Sequence, residues 1–337
     1  MSLFESTGAT LKNIRSHKLR SFLTMLGIII GISSVIIIMS VGAAIQKLIV
    51  NQVSGIGSNV IGILPGNAGD EGPPTSILGI TVTTLQYEDA LELGKKINAP
   101  HIEDVAAYVQ GVVTIQYKEN DLSNNVIGTT HQYPKVEGAV LEAGRFFDET
   151  EERGINRVVV LGSQIAADLF GEQDPLGKDI KIKKERFKVI GVMEERGSIF
   201  FINQDNIAYV PLNTAQKLLL GINHLNFVRA RVDDVKNLDQ SVLDVKATLR
   251  HQHKIDNPKE DDFTVRTTQQ AATILTGVTD AMRFFLVAIA GVALFVGGIG
   301  IMNIMLVAVN ERIREVGLRK AVGANNFNIL CSFCRKL

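Results

Sequence analysis

Three short clusters have residue types that could do chemistry. The segment Gly171–Asp179, GEQDPLGKD, sets two glycines before a lysine, as phosphate-binding loops do. Such a loop needs four residues between its glycines and a Ser or Thr after the lysine to reach magnesium. Here five intervene, Asp179 takes the hydroxyl position, and a strand-like run follows in place of a helix. The segment therefore reads as a turn shaped by Pro175 and Gly177. Cys331 and Cys334 form a CxxC, but no second Cys or His pair lies nearby and no thioredoxin-like context surrounds it, so neither a redox pair nor a zinc site follows. His251 and His253 stand two apart on a predicted helix, where side chains diverge by about 200°. They cannot share an ion as an i, i+4 pair can. No GxSxG elbow marks an acyl-transfer nucleophile. No cofactor and no catalytic step is expected of this chain, and a membrane-anchored enzyme would need a catalytic cluster that the sequence does not display.

A fourth cluster has a different character. In ERIREVGLRKAVGA, Glu311 to Ala324, the charges alternate in sign, Arg312 stands three residues before Glu315, and Val316, Leu318 and Val322 are apolar. The pattern predicts a short amphipathic helix at a membrane surface, ended near Gly323 by a C-cap glycine. The plainer reading is a snorkelling basic anchor.

Membrane helices must position this segment. No residue between Arg20 and Lys47 is charged, nor any between Arg283 and Glu311. Each run exceeds the roughly 20 apolar residues that cross a hydrocarbon core about 30 Å thick. They predict transmembrane helices over 22–45 and 284–309. The first run is preceded by basic residues and carries the small Gly42, Ala43 and Ala44, yet it outruns the roughly 7–15 apolar residues of a signal peptide. Gly27 and Gly31 form a GxxxG, and Gly297, Gly298 and Gly300 cluster in the second run, where small residues let helix backbones approach. Asn303, inside the second span, has the amide of an interhelical hydrogen bond.

The flanks set the orientation. Lys12, Arg15, Lys18 and Arg20 precede the first span against Glu5 alone, and Arg312, Arg314, Arg319, Lys320, Arg335 and Lys336 follow the second against Glu311 and Glu315. Counting basic residues near the membrane ends puts both termini in the cytoplasm, 1–21 and 310–337, and residues 46–282 outside. Over the whole chain 35 Lys+Arg balance 35 Asp+Glu. A nucleic-acid partner, which calls for a basic excess, is not expected. Two cysteines in 337 residues exclude a disulfide scaffold.

The external segment reads as mixed α and β. Asn59–Leu64 is strand-like, Thr84 is placed to cap a helix from Leu85 to Ile97 with Glu88 and Asp89 in its first turns, and Val105–Tyr117 is β-branched and extended. The order recurs in Phe227–Val232, Leu238–Leu249 and Phe263–Thr267. Two β-α-β units are therefore expected, brought together around an inserted middle of about 123–211. That middle holds short strands at Asn125–Thr129, Arg157–Leu161, Asp179–Ile182 and Phe187–Met193, and one short helix at Gln164–Phe170. Gly66–Pro74 is a loop by composition.

At this point a resemblance becomes specific. VGGIGIMNIMLVAVNERIREVGLRKAVGA resembles the second membrane helix and coupling segment of MacB-type ABC transporter permeases, in the wider FtsX-like group. LKNIRSHKLRSFLTMLGIIIGISSVIIIMSVG resembles that family's entry into its first span, and GRFFDETEE and DPLGKDIKIKKERFKVIGVM resemble its periplasmic core. The resemblance implies an α+β membrane protein, in which two transmembrane helices flank a large extracytoplasmic domain of porter-like β-α-β units with a small inserted α/β part. It implies a homodimeric permease in the inner membrane, seated on a separate ABC ATPase subunit, with a periplasmic adaptor as a further candidate partner. Glu311, Arg312, Arg314, Glu315, Gly317, Arg319, Lys320 and Gly323 would form the coupling segment that docks on the ATPase. ATP-driven closure would then pass through the membrane helices to the external domain and expel antimicrobial peptides, macrolides or similar amphiphiles.

The family has four membrane helices, two of them after the coupling segment, whereas no third apolar span precedes Leu337. The chain is thus expected to be a truncated, frame-shifted or split permease, with ATP hydrolysed by another polypeptide. The competing expectation is an FtsX-like transducer that regulates an external partner such as a wall hydrolase.

Overall fold

The computed structural model describes residues 29–47 apart from 31, 35 and 46, then residues 59–67, 82–199, 202–311 and 313–325. Contacts divide the chain into two compact units, Met1–Gln46 with Val278–Leu337, and Lys47–Gly277. In chain order the strands are β1 (Val60–Pro65), β2 (Ile102–Tyr117), β3 (Asn120–Thr129), β4 (Leu141–Gly144), β5 (Val158–Leu161), β6 (Asp179–Ile182), β7 (Glu185–Met193), β8 (Ser198–Ile199), β9 (Ile202–Asn203), β10 (Ile207–Pro211), β11 (Phe227–Val232) and β12 (Phe263–Thr267). The helices are α1 (Ile32–Ile45), α2 (Tyr87–Leu93), α3 (Tyr133–Glu137), α4 (Glu149–Arg153), α5 (Ser163–Phe170), α6 (Leu212–Thr214), α7 (Leu238–His253), α8 (Thr268–Glu311) and α9 (Ile313–Ala321).

The two β-α-β units interleave. β1 pairs antiparallel with β11 on one side and β12 on the other, and β11 in turn pairs with β2. The spatial order β12-β1-β11-β2 is that of a split β-α-β pair, each unit lending a strand to the middle of the other. β11 alternates in burial, with Val228, Ala230 and Val232 fully buried and their neighbours half-buried. α7 runs four residues beyond its predicted end, to His253, where Lys254 turns left-handed at φ +57°.

α2 departs from expectation. It covers Tyr87–Leu93, and its N-cap is Gln86, whose N–H donates to Asp89 Oδ2 at 2.8 Å. Leu85 is fully buried, so the chain must stay extended there to reach the core. The Thr84 hydroxyl serves a different end, donating to the Asp262 carbonyl at 2.7 Å.

The inserted middle is continuous with the same sheet. β2 pairs with β3, β3 with β10, β10 with β5, β5 with β7, β7 with β6, and β6 returns to β2 at Ile115 and Gln116. Six strands thus close a ring around Ile115, Val126, Val159, Ile180, Phe187 and Val189, all buried. β3 begins five residues before its predicted start, because Asn120 to Asn124, mostly polar, continue the ladder with β2 up to the tight turn at Lys118 and Glu119. At Gly162 a Cβ would stand 2.3 Å from the Asp205 carbonyl oxygen, so the turn into α5 admits only glycine at this separation.

α8 starts on the domain. Thr267 and Gln270 cap each other, the Thr267 N–H on Gln270 Oε1 at 3.0 Å and the Gln270 N–H on Thr267 Oγ1 at 3.2 Å, while Thr268 Oγ1 donates to the Val60 carbonyl. It then runs to Glu311, about 66 Å at 1.5 Å per residue. Of the described helices only this one is long and apolar enough to cross a membrane, over Thr268–Gly300. α1 is the shorter described part of the first apolar run.

Candidate functional site

The candidate coupling segment follows α8 directly. Glu311 is the last residue of α8, with its side chain outside the described residues, and Arg312 also lies outside them. From Ile313 the chain forms α9, a second short helix. Its end has the geometry expected of a C-cap glycine. Gly323 adopts φ +90°, its N–H bonds to the Lys320 carbonyl at 3.1 Å, and the next N–H, of Ala324, reaches back to Arg319 at 3.1 Å. This pair of bonds satisfies the last carbonyls of the helix and stops it.

Along α9, Arg319 Nη2 meets Glu315 Oε1 at 2.6 Å, one turn apart, with both side chains partly exposed. Exposed i, i+4 pairs are worth only about 0.3–0.5 kcal/mol, so this contact shapes the surface more than it holds the helix. Arg314 and Lys320 are exposed, as are Leu318 and Val322, at 69% and 87%. A Cβ placed on Gly317 would meet nothing within 4 Å. The segment thus presents uncovered apolar side chains bordered by cations beside a glycine that allows close approach.

Of the other predicted residues, Gly297, Gly298 and Gly300 lie within α8, each with open space where a Cβ would stand. Asn303 is in the same helix, with its side chain outside the described residues. Gly27 and Gly31 lie outside the described residues. In α8, Phe284, Phe285, Ile289, Val292, Phe295 and Val296 are all more than half exposed, an apolar surface suited to lipid.

The large domain holds two buried polar assemblies that residue spacing does not reveal. His253 lies between two carboxylates, Nδ1 at 2.7 Å from Asp262 Oδ1 and Nε2 at 3.2 Å from Asp89 Oδ2, with a side chain only 10% exposed. A neutral imidazole has one N–H, and its other nitrogen would turn a lone pair toward a carboxylate. Only the imidazolium satisfies both. Burial by itself would push the His253 pKa down, but the bonds to Asp262 and Asp89 outweigh it and the pKa is raised. The pairing ties α2 to the end of α7 and to the approach to β12. The two-residue spacing of His251 and His253 says nothing of partners elsewhere in the chain.

The second assembly centres on Glu137, at the end of α3. It accepts from the Tyr108 hydroxyl at 2.6 Å and pairs with Arg229 Nη1 at 2.5 Å. Tyr133 donates to the Tyr209 hydroxyl at 3.0 Å beside it, and Tyr108 stacks on Phe227 with ring centres 4.4 Å apart. Burial first, and the Glu137 charge second, hold the Tyr108 hydroxyl well above the usual phenol range, and burial raises Tyr209 to about 12. Both assemblies join distant parts of the domain through side-chain hydrogen bonds and ion pairs. Among the described residues no group of three metal-ligating side chains is placed to hold an ion.

Comparison with known proteins accords with this arrangement. Residues 21–248 match the model of the MacB-like periplasmic core domain, and residues 287–336 match the FtsX-like permease C-terminal model. A macrolide export ATP-binding/permease protein MacB of Neisseria meningitidis is 34% identical over 98% of this chain and 49% of its own length, and one of Rhodopseudomonas palustris is 35% identical over the same shares. The chain spans about half the length of the curated relatives it matches. The periplasmic region of MacB from Actinobacillus actinomycetemcomitans aligns with a TM-score of 0.56 at 23% identity, covering 67% of this chain and 97% of that one. The extracellular domain of the ABC-type transporter YknZ from Gram-positive bacteria aligns at 0.50 with 20% identity, covering 62% of this chain and all of that one. Those two likenesses speak for the fold.

Proposed function

The chain belongs to the family of ABC transporter permeases with a MacB-like periplasmic core domain and an FtsX-like permease region, and from that premise we propose that it is the membrane subunit of an ABC-type exporter. In this reading residues 22–45 and 284–309 cross the inner membrane, the large domain stands outside, and both termini face the cytoplasm. ATP is hydrolysed by a partner subunit that docks on Glu311 to Gly323, and the permease works as a dimer. The glycine surfaces of the spans serve helix packing, and a periplasmic adaptor is a further partner.

The observation that carries the proposal is α9. It follows the apolar helix α8 directly, which in this reading brings it to the membrane surface, and it displays Leu318 and Val322 uncovered beside Arg314 and Lys320. A macrolide-like substrate is supported by the names of the relatives, which are macrolide export proteins, and antimicrobial peptides or similar amphiphiles belong to the same proposal. Such a permease moves its cargo by motion of the external domain.

The test is recovery of an ATP-hydrolysing subunit with the affinity-tagged chain from membranes of its host. Arg319→Glu with Lys320→Glu is expected to reduce that recovery at least tenfold while the chain still inserts. Undiminished recovery in the double variant overturns the docking role, and absence of any ATPase with the unaltered chain overturns the exporter reading.

A further inference from the structure

The hairpin of β6 and β7 is unusual in the charge it displays. Its inward residues Ile180, Ile182, Phe187 and Val189 are buried in the ring of strands, and the outward ones are Lys181, Arg186 and Lys188. Lys178 and Lys184 flank them, and all five cations are exposed. Within the described residues none of the five side chains makes a hydrogen bond or an ion pair. The nearby acids offer little compensation. Asp179 faces Lys188 across the ladder, and Glu185 is engaged by Arg157 at 2.9 Å. Lys181 and Arg186 are direct cross-strand partners, and like charges so placed destabilise a hairpin. This concentration stands out in a chain whose charges cancel as a whole.

The surroundings narrow the partner. β6 is hydrogen-bonded on both sides, to β2 and β7, so no strand can add there. The exposed outward side chains of β6 and β7 include no large apolar or aromatic group and lysine predominates, the nearest exposed apolar side chain on this face being Val112, beyond Thr114 on β2. Protein interfaces favour buried aromatic and Arg anchors and are depleted in Lys, and a membrane-inserting surface needs apolar residues to bury. What remains is the chemistry of a linear polyanion held by displaced counterions. The row continues through Gln116, the partner of Lys181, with Thr114 on the same face of β2, both exposed. These neutral groups suit hydroxyls between the charges.

We propose that the outward face of the β6–β7 hairpin binds a linear anionic polysaccharide, its acidic groups on Lys181, Arg186 and Lys188 and its hydroxyls on Gln116 and Thr114. The proposal rests on the domain being outside the membrane, but binding itself is independent of ATPase docking.

The experiment titrates the full chain in zwitterionic detergent with dextran sulfate, using neutral dextran and poly-glutamate as comparators. Dextran sulfate is expected to bind, with affinity falling at least about tenfold as salt rises from about 50 to about 200 mM. Lys181→Glu with Arg186→Glu is expected to weaken it at least tenfold, and Lys181→Gln with Arg186→Gln less. Lys236→Glu with Lys259→Glu, which makes the same change in net charge on segments flanking α7, should leave it within twofold. Equal loss in that control overturns the assignment to the hairpin. Neutral dextran binding as tightly overturns the charge argument, and poly-glutamate binding as tightly points to an acidic protein instead.

Discussion

Replacing His253 by Gln tests the double carboxylate clamp. The substitution leaves Asp89, whose side chain is 4% exposed, without its cation, although the Gln86 N–H still serves one of its oxygens. Asp262, about a third exposed, can turn to water. The cost therefore falls mainly on Asp89, and stranding a buried acceptor of charge is worth about 2–3 kcal/mol. For a domain of this size about 1 kcal/mol moves the melting temperature by about 2–4 °C, so a drop of about 5–10 °C is expected. The effect must depend on pH in a particular direction. Because the folded-state pKa of His253 is raised above the unfolded value of about 6.5, its contribution is complete below about pH 6.5 and disappears as pH rises through the folded value. The variant should trail the parent most near pH 5.5 and approach it near pH 9. Circular dichroism at 222 nm suits a chain without tryptophan, and the difference between the two melts at each pH cancels the other titrating groups. A deficit that stays constant with pH, or grows toward alkaline pH, refutes the imidazolium clamp.

Two further perturbations follow from the packing. Gly162→Ala places a Cβ against the Asp205 carbonyl, in the turn that leads into β10, and is expected to cost about 3 kcal/mol in thermal or denaturant unfolding. Glu137→Leu leaves Arg229, whose side chain is 29% exposed, and the buried Tyr108 hydroxyl without their acceptor and should cost about 1–3 kcal/mol, whereas Glu137→Leu combined with Arg229→Met should recover much of it. A double variant as unstable as the single one would show that the ion pair has a role beyond compensating its own burial.

Much of the fold was legible in the residues, and the reasons differ by element. β11 and β12 could be read because a strand with one or both faces buried writes that burial into its apolar spacing. α2 was misplaced by its cap. Thr84 has the right side chain for an N-cap, but the burial of Leu85 holds the chain extended for two more residues, and burial is set by distant contacts. The closed ring of strands had no local trace, since β6 looks the same whether or not its free edge finds β2. Of the candidate site, the cap at Gly323 and the charge pattern of α9 were legible because they are local. The clamp on His253 was not. Its partners sit on another helix and in a loop, and nothing in the identity of Asp89 or Asp262 distinguishes them from the surface acids around them.

The interleaving of the two β-α-β units has a consequence for how the domain is made. β1 is synthesised before every other described strand of the domain, yet Ile61 pairs with Ala230 on one side and Thr267 on the other. At about 5–20 residues per second, β1 waits roughly 10–40 s for its neighbours, with both edges unpaired. The β2–β3 hairpin, by contrast, closes on itself within a short stretch of chain. Assembly therefore starts from the middle of the sequence, and the newborn domain must keep its earliest strand from pairing with other chains until its latest one arrives.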